Sequence, residues 1–267
     1  MGLNRIFYVI VFITLLFSIS ITTYFRNIIW KDDLTLWKDV IVKSPDKARG
    51  YNGIGLAYYG QNRFKEAIKE YLKALELGHP HLAPIHNNLG LAYSKQNRFD
   101  DAIKEYTEAI KLNPDYFEAY NNLGIAYLNR NRFNDAIKVY NIALKLNTYY
   151  KIDAHNNLGI AYYYQGKIDD AIKEYLTALT LNPNSVETHN NLGNAYLKQN
   201  RLDDAIIEYL TVLKLNPNIS ETHYNLGMIY GMKGSKDKAI KEFKIVLKLR
   251  PDFIDAQKAL EELTKSR

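Results

Sequence analysis

Four histidines occupy one position of a repeating pattern, and histidine is the commonest side-chain ligand of protein-bound metals. They are His86, His155, His189 and His223. Neighbouring helices pack about 8–10 Å apart, so one column offers at most two ligands across a gap, whereas a closed zinc site needs four within about 2.1 Å. Tyr120 also interrupts the column, and the chain contains no cysteine. We therefore expect histidines that pack between helices, and no bound metal.

Paired carboxylates could perform acid–base chemistry if one pair lay in a cleft. Here the pairs recur in register with the repeating pattern. They are Asp100-Asp101, Asp169-Asp170 and Asp203-Asp204. That regularity is typical of the first turn of a helix, where acidic side chains interact favourably with the helix dipole. The sequence also lacks a glycine-rich phosphate loop, a nucleophile elbow and a helix-borne metalloprotease motif. It predicts no catalytic residue, no cofactor and no enzyme.

Asparagine also recurs in register, in two adjacent columns. The first column consists of Asn88, Asn122, Asn157, Asn191 and Asn225, and the second of Asn52, Asn87, Asn121, Asn156 and Asn190. A side-chain amide offers both an acceptor and donors, so a row of them can bind the backbone of an extended peptide without reading its side chains. The alternative is local, because asparagine often bonds to groups of its own helix. The sequence leaves both interpretations open.

Pairs of amphipathic helices must position these residues. Residues 83–116 show the pattern, with Leu89 and Tyr93 at helical spacing on the first helix and Ala102 and Tyr106 on the second. A recurring glycine sets the period at 34 or 35 residues. The predicted copies are 48–82, 83–116, 117–151, 152–185, 186–219 and 220–253. One such hairpin cannot bury its apolar face, so it must stack on its neighbours.

Three further columns describe how each hairpin is built. The residues between the two helices tolerate a left-handed backbone, and they are Asn62, Asn97, Asn131, Gly166, Asn200 and Gly234. Tyrosines three residues after each glycine, such as Tyr93, are expected to fill the seam between the helices. Alanines twelve residues after each glycine, such as Ala136, are expected at a helix–helix contact.

The pattern resembles the tetratricopeptide repeat. The resemblance rests on Leu89, Gly90, Tyr93, Ala102, Tyr106, Ala109 and Pro114 and their spacing. It implies an all-α fold, a right-handed superhelical solenoid of six helix-turn-helix repeats with capping helices, whose first helices line a concave groove for another protein. In that groove it places the first asparagine column, which is similar to the asparagine ladder of O-linked N-acetylglucosamine transferases. The other groove residues that it implies are Tyr59, Leu91, Ile125, Ile160 and Tyr163.

The N-terminal segment predicts a membrane anchor. Residues 6–25 are 20 residues without a charge, and at about 1.5 Å per helical residue they span about 30 Å, the thickness of a bilayer's hydrocarbon core. The alternative is a cleaved signal peptide, which usually has an apolar core of about 7–15 residues and a small-residue cleavage site. Arg5 and Arg26 flank the run as snorkelling anchors would. We expect a single-pass membrane protein, and the side of the membrane that carries the repeats stays open.

Two helices are expected to cap the repeats. Residues 26–47 contain the second half of a repeat, in which Trp37 stands where Tyr106 stands in its own copy. Residues 254–267 form one more amphipathic helix, which covers the stacking face of the last repeat.

The charge distribution argues against nucleic acid as a partner. The net charge is +6, yet positive and negative residues alternate along the helices, as in IKEYTEAIK, which is typical of a solvated surface. The expected partner is therefore a protein or an extended peptide, with the membrane contacted through one N-terminal helix.

Two functions compete. One is a membrane-anchored scaffold that binds a partner polypeptide in the groove. The other is an accessory subunit of a membrane glycosyl-transfer or envelope-assembly complex. The second function is suggested by the junction between the anchor and the repeats, which resembles that of polytopic transmembrane-and-tetratricopeptide glycosyltransferases. The catalytic part of those enzymes has no counterpart in this sequence.

Overall fold

A computed structural model describes residues 32–78, 81–146 and 151–265 of the chain. In these ranges it shows fourteen α-helices and no strand. The helices are α1 Asp33–Lys43, α2 Ala48–Gly60, α3 Phe64–Glu76, α4 Leu82–Lys95, α5 Phe99–Leu112, α6 Phe117–Asn129, α7 Phe133–Leu146, α8 Lys151–Tyr164, α9 Ile168–Leu181, α10 Val186–Lys198, α11 Leu202–Leu215, α12 Ser220–Met232, α13 Lys236–Leu249 and α14 Ile254–Lys265. The chain forms two compact units, Met1–Asn122 and Leu123–Arg267, and their boundary falls within α6.

Residues with a left-handed backbone end the first helix of every hairpin. Asn97, for example, has φ of 59°, and a branched or bulky side chain would be strained there. The column predicted from the sequence is confirmed at all six positions, which are Asn62, Asn97, Asn131, Gly166, Asn200 and Gly234. The backbone can therefore reverse within three residues, so that the second helix packs against the first.

The core of each hairpin is an aromatic ring seated on the recurring glycine. The ring of Tyr175 in α9 lies so close to Gly159 in α8 that a Cβ atom on the glycine would come within 2.5 Å of it. The same arrangement joins five further pairs, which are Gly55 with Tyr71, Gly90 with Tyr106, Gly124 with Tyr140, Gly193 with Tyr209 and Gly227 with Phe243. Glycine is needed here because the helices approach closely, at a helix propensity cost of about 1 kcal/mol each.

The tyrosines that the sequence suggested for the seam also contact cationic side chains. Tyr93 and Tyr196 are buried, but each carries an arginine over its ring, with the guanidinium carbon of Arg98 4.3 Å from the centroid of Tyr93. Tyr196 nevertheless belongs to the same buried cluster as Ala205 and Tyr209 of the second helix. The column is therefore part of the core beside the turn, and the aromatic residues of the second helices lie on the recurring glycines.

Both predicted caps are helical in the described residues. In the N-terminal unit the indole of Trp37 in α1 covers Gly53 of α2, and the guanidinium carbon of Arg49 lies 5.9 Å from its centroid. In the C-terminal unit α14 buries Ala256 completely, and Phe253 before it stacks on Tyr224 at 5.0 Å. Each cap thus covers apolar surface of the neighbouring hairpin.

The predicted membrane helix at residues 6–25 lies outside the described residues. None of the helices in the described ranges combines the length and the apolar character that a bilayer crossing needs. The two irregular corners of the repeats lie partly outside as well, at residues 79–80 and 147–150.

Candidate functional site

The histidine column holds helices together through glutamate partners. Nδ1 of each histidine lies within hydrogen-bonding distance of a glutamate 19 residues later, on the second helix of the same repeat. The pairs are His86–Glu105 at 2.7 Å, His155–Glu174 at 2.6 Å, His189–Glu208 at 2.5 Å and His223–Glu242 at 2.6 Å. In the described residues no three metal-ligating side chains come together. The packing role that the sequence suggested for these histidines is what their contacts show.

Two of these histidines also use their second ring nitrogen. Nε2 of His189 lies 2.9 Å from the carbonyl oxygen of Pro183, and Nε2 of His223 lies 3.1 Å from that of Pro217. Each ring therefore joins three segments, namely its own helix, the second helix of its repeat and the corner before the repeat. The glutamates were missed in the sequence, although Val139 replaces glutamate where Tyr120 replaces histidine.

The acidic pairs make structural contacts too. Asp101 and Asp204 bind the arginine three residues earlier, at 2.8 Å and 2.7 Å, in the first turn of their helices. Asp169 accepts a hydrogen bond of 2.6 Å from Gln199, which belongs to the following repeat. These contacts tie helix starts to neighbouring turns.

The two asparagine columns bond to each other. Nδ2 of Asn191 donates to Oδ1 of Asn156 at 3.1 Å, and in the N-terminal unit Nδ2 of Asn122 donates to Oδ1 of Asn87 at 3.0 Å. The acceptors are buried, with exposed fractions of 6 % for Asn156 and 5 % for Asn87. Asn191 and Asn122 of the first column therefore each donate one N–H group to the preceding repeat.

In the C-terminal unit, some of the predicted groove residues line one small cavity. It has a volume of about 110 Å³ and lies between α8 and α10. Its lining residues are Ile160, Tyr163, Tyr164, Tyr175, Asn191 and Asn194. The sequence predicted three of them, and we call this cavity the α8–α10 pocket.

Three lining residues of the α8–α10 pocket were missed. Asn194 had a signal in the sequence, because it follows the recurring glycine at a position that is leucine, isoleucine or methionine in the other five repeats. Tyr164 had one as well, since it adds a second aromatic residue directly after Tyr163 at the end of α8. Tyr175 is the counterpart of Tyr106 in its repeat, and its ring is buried against Gly159.

Tyr164 is the most accessible wall of the pocket, with 64 % of the residue exposed. Its ring stacks on Phe133 at 5.9 Å and meets Tyr163 edge-on at 5.6 Å. Burial raises the pKa of the Tyr163 hydroxyl above its ordinary value. Tyr164 also borders a second depression of about 360 Å³, which is lined by Leu128, Asn129, Asn131, Phe133 and Tyr164.

The lining of both cavities is free of charge. Neither set of lining residues contains Asp, Glu, Lys, Arg or His. Aromatic rings, side-chain amides and the aliphatic residues Ile160 and Leu128 therefore form this surface, and it provides neither a nucleophile with a base nor an ionic clamp.

Family models match most of the chain. They are described as tetratricopeptide repeat at residues 46–115, 87–150 and 220–253, and as TPR repeat at residues 159–200 and 193–234. The matches reach into all six repeats that the sequence predicts. The chain belongs to the tetratricopeptide repeat family. No curated protein sequence matches it.

Solved structures of other repeat proteins share the fold of this tetratricopeptide repeat protein. PilW, a widely conserved type IV pilus biogenesis factor, is 19 % identical over 80 % of this chain and 98 % of its own, with a TM-score of 0.73. YrrB, a TPR protein with an unusual peptide-binding site, is 23 % identical over 72 % of this chain and 97 % of its own, with a TM-score of 0.57.

A third similar structure is a chain of the APC/C hetero-tetramer Cut9–Hcn1. It is 24 % identical, with a TM-score of 0.69, and the match covers 88 % of this chain and 46 % of that one. The present chain thus spans about half the length of that relative. At these identities the likeness concerns the fold.

The remaining predicted groove residues of the tetratricopeptide repeats do not line the α8–α10 pocket. In the N-terminal unit Tyr59 meets Phe64 edge-on at 5.4 Å. Asn225, in α12, is not a lining residue, but its Nδ2 group donates a hydrogen bond of 3.5 Å to Oδ1 of Asn194. Five others lie on the first helices and reach the surface at least in part, and they are Asn88, Leu91, Asn122, Ile125 and Asn157.

Proposed function

We propose that this tetratricopeptide repeat protein is a non-catalytic scaffold that binds an extended segment of a partner polypeptide in the α8–α10 pocket. The observation that carries the proposal is the unused hydrogen-bonding capacity of two amides, Asn191 and Asn194, beside exposed aromatic surface.

The Nδ2 group of Asn194 is available to donate hydrogen bonds to a ligand. The Oδ1 atom of Asn194 accepts a hydrogen bond from the hydroxyl of Tyr209 at 2.6 Å and another from Asn225 at 3.5 Å. Both lone pairs of the oxygen are then engaged, while the Nδ2 group has two protons to give. Asn194 can therefore donate to a ligand.

The amide of Asn191 keeps its oxygen and one of its two N–H groups for a ligand. One of its N–H groups donates to Asn156, and within the described residues its Oδ1 atom accepts no hydrogen bond. A donor and an acceptor thus flank the pocket, and together they match the C=O and N–H groups of a peptide backbone.

The free energy of the hydrogen bonds from these two amides is too small to bind a peptide without other contacts. Two hydrogen bonds at about 0.5–1.5 kcal/mol net each contribute roughly 1–3 kcal/mol. Association costs about 4–15 kcal/mol in lost translational and rotational freedom. Apolar contact with Ile160, Tyr163 and Tyr164 must therefore supply most of the affinity, as aromatic residues do at many interfaces.

The membrane anchor is part of the proposal. Residues 6–25 have the length and apolar character of one spanning helix, and only seven residues separate them from the first helix of the repeat region, which begins at Asp33. We propose a single-pass protein whose repeats begin at the membrane surface.

Quantitative co-purification tests the function. The full-length chain is extracted in detergent from the cells that express it, as wild type, as Tyr164→Ala and as Ile207→Ala. Ile207 is a matched control, because it is 59 % exposed on α11 and does not line the pocket. Mass spectrometry should show at least one polypeptide that Tyr164→Ala depletes about tenfold and Ile207→Ala leaves in place.

Identical partner sets in all three samples would contradict binding at this pocket. If the depleted partner is a polytopic transferase recovered in equal amount, the function is that of an accessory subunit instead of a general scaffold.

A further inference from the structure

We infer that the α8–α10 pocket selects a proline ring within an uncharged, extended segment of the partner. This inference rests on the proposed function and specifies the chemistry of its ligand.

The size of the pocket limits what can enter it. Its volume of about 110 Å³ corresponds to three or four water molecules at about 30 Å³ each, well below the roughly 300–1,000 Å³ of pockets for drug-sized molecules. One compact side chain can fill it. An organic cofactor or a tryptophan side chain cannot.

The lining excludes a charged side chain. A buried charge needs a partner of opposite charge or several hydrogen bonds, and the lining consists of three tyrosines, one isoleucine and two asparagines. The Nδ2 group of Asn194 faces a ligand as a donor, while Asn191 offers a single acceptor. These two groups suit the backbone of the partner, so the aromatic walls are left for an apolar group.

The hydrogen-bonding pattern excludes a helical ligand. In an α-helix the backbone N–H and C=O groups bond to each other, so Asn191 and Asn194 would have no partner. A polyproline II segment has no internal hydrogen bonds, and its backbone groups are free. Proline favours that conformation, and aromatic grooves in other domains recognise it in the same way.

The tyrosine rings supply the complementary surface. Tyr163 and Tyr164 stand at 88° to each other and form two walls of a corner, and the ring of Tyr175 lines the same pocket. A pyrrolidine ring can touch both walls at once while its own conformation is already fixed, which reduces the entropy lost on binding. Alanine would leave the corner empty, and lysine would bring a charge into it.

Calorimetric titration of defined peptides tests the inference. The probe is the capped nonapeptide Ser-Ala-Ser-Ala-Pro-Ala-Ser-Ala-Ser, with two analogues that carry alanine or lysine in place of proline. Each is titrated into the full-length chain in detergent. The proline peptide should bind at least tenfold more tightly than either analogue, a difference of 1.4 kcal/mol. Tyr164→Ala should remove this preference, while Tyr164→Phe and Ile207→Ala should keep it.

Thermal unfolding of each variant confirms that the fold is retained. Equal affinity for the three peptides, a preference for lysine, or no binding of the proline peptide would overturn the inference. If Tyr164→Ala still depletes a cellular partner while the peptides show no proline preference, the pocket binds polypeptide without this selectivity. If the variant changes neither readout, the proposed function fails as well.

Discussion

Asn191 donates a hydrogen bond of 3.1 Å to Asn156, the residue 35 positions earlier and one repeat before it. Asn122 and Asn87 repeat this relationship at the same sequence separation in the N-terminal unit, over 3.0 Å. The columns that the sequence offered as a ligand-binding ladder thus also join successive repeats. Loss of one of these amides therefore has a structural cost, whatever ligand it binds.

The first prediction concerns that cost. Asn191→Ala should lower the free energy of unfolding by about 1–3 kcal/mol, because the buried Oδ1 atom of Asn156 loses its donor. Asn141→Ala is the control, since its exposed amide bonds to Ile137 of its own helix, and it should change stability by about 0.5 kcal/mol or less. Chemical denaturation measures both. An equal, small effect of the two variants would show that the contact between the columns adds nothing to stability.

The second prediction concerns the glycine beneath each aromatic ring. Gly159→Ala should destabilise the chain by about 1–3 kcal/mol, because the new Cβ atom would lie 2.5 Å from the ring of Tyr175. Gly231, also helical, has nothing within 4 Å of an added Cβ atom. Gly231→Ala should therefore raise stability by up to about 1 kcal/mol. The thermal midpoints should move in opposite directions, and movement in the same direction would contradict the packing described.

The third prediction separates the two faces of α7. Ala136 is completely buried and Lys138 is exposed. Ala136→Leu forces extra methylene groups into a helix–helix contact and should cost about 1–3 kcal/mol, whereas Lys138→Leu should change stability by about 0.5 kcal/mol or less. The midpoints of urea unfolding provide the comparison. Equal losses would mean that the assignment of faces is wrong.

The fourth prediction is a dependence of stability on alkaline pH. Burial raises the pKa of Tyr140, because the folded chain disfavours the charged phenolate. Stability is therefore fully present below the unfolded-state pKa of about 10. Above it, each such tyrosine lowers the free energy of unfolding by about 1.4 kcal/mol per pH unit, because the unfolded state releases a proton that the folded state keeps.

Tyr140→Phe removes one of these groups, and Phe243 shows that a ring without a hydroxyl fits the same column. Its unfolding free energy should fall less steeply above pH 10 than that of the wild type. At pH 7 it should be unchanged or higher, since the hydroxyl of Tyr140 has no hydrogen-bond partner in the described residues. Tyr164→Phe, at an exposed ring, is the control. Parallel curves for Tyr140→Phe and the wild type would contradict the prediction.

The turns and the period of the fold could be predicted from the sequence because they depend on local chemistry. Asn97 and its counterparts tolerate a left-handed backbone, and that property belongs to the residue itself. Packing partners were harder to predict. Tyr93 and Tyr106 both have the spacing of a buried face, and only the structure shows that the ring of Tyr106 is the one that lies on Gly90.

Only part of the α8–α10 pocket could be predicted from the sequence, because its lining depends on packing partners as well as on the repeat pattern. The family resemblance implied Ile160, Tyr163 and Asn191 as groove residues, and all three line the pocket. Asn194 and Tyr164 depart from the repeat pattern, so positions that recur in every repeat do not predict them. The hydrogen bond from Asn191 to Asn156 depends on the stacking of two repeats, which no single repeat encodes.

Site-specific photo-cross-linking tests most directly whether a polypeptide occupies the α8–α10 pocket. p-Benzoylphenylalanine is introduced in place of Tyr164, or in place of Ile207 on α11, and the cells that express the full-length chain are irradiated. The structure predicts a cross-linked polypeptide from position 164, mapped by mass spectrometry to an uncharged segment that contains proline, and none from position 207. Cross-linking from position 207 without any from position 164 would contradict binding at the pocket and would place the partner on the second helices.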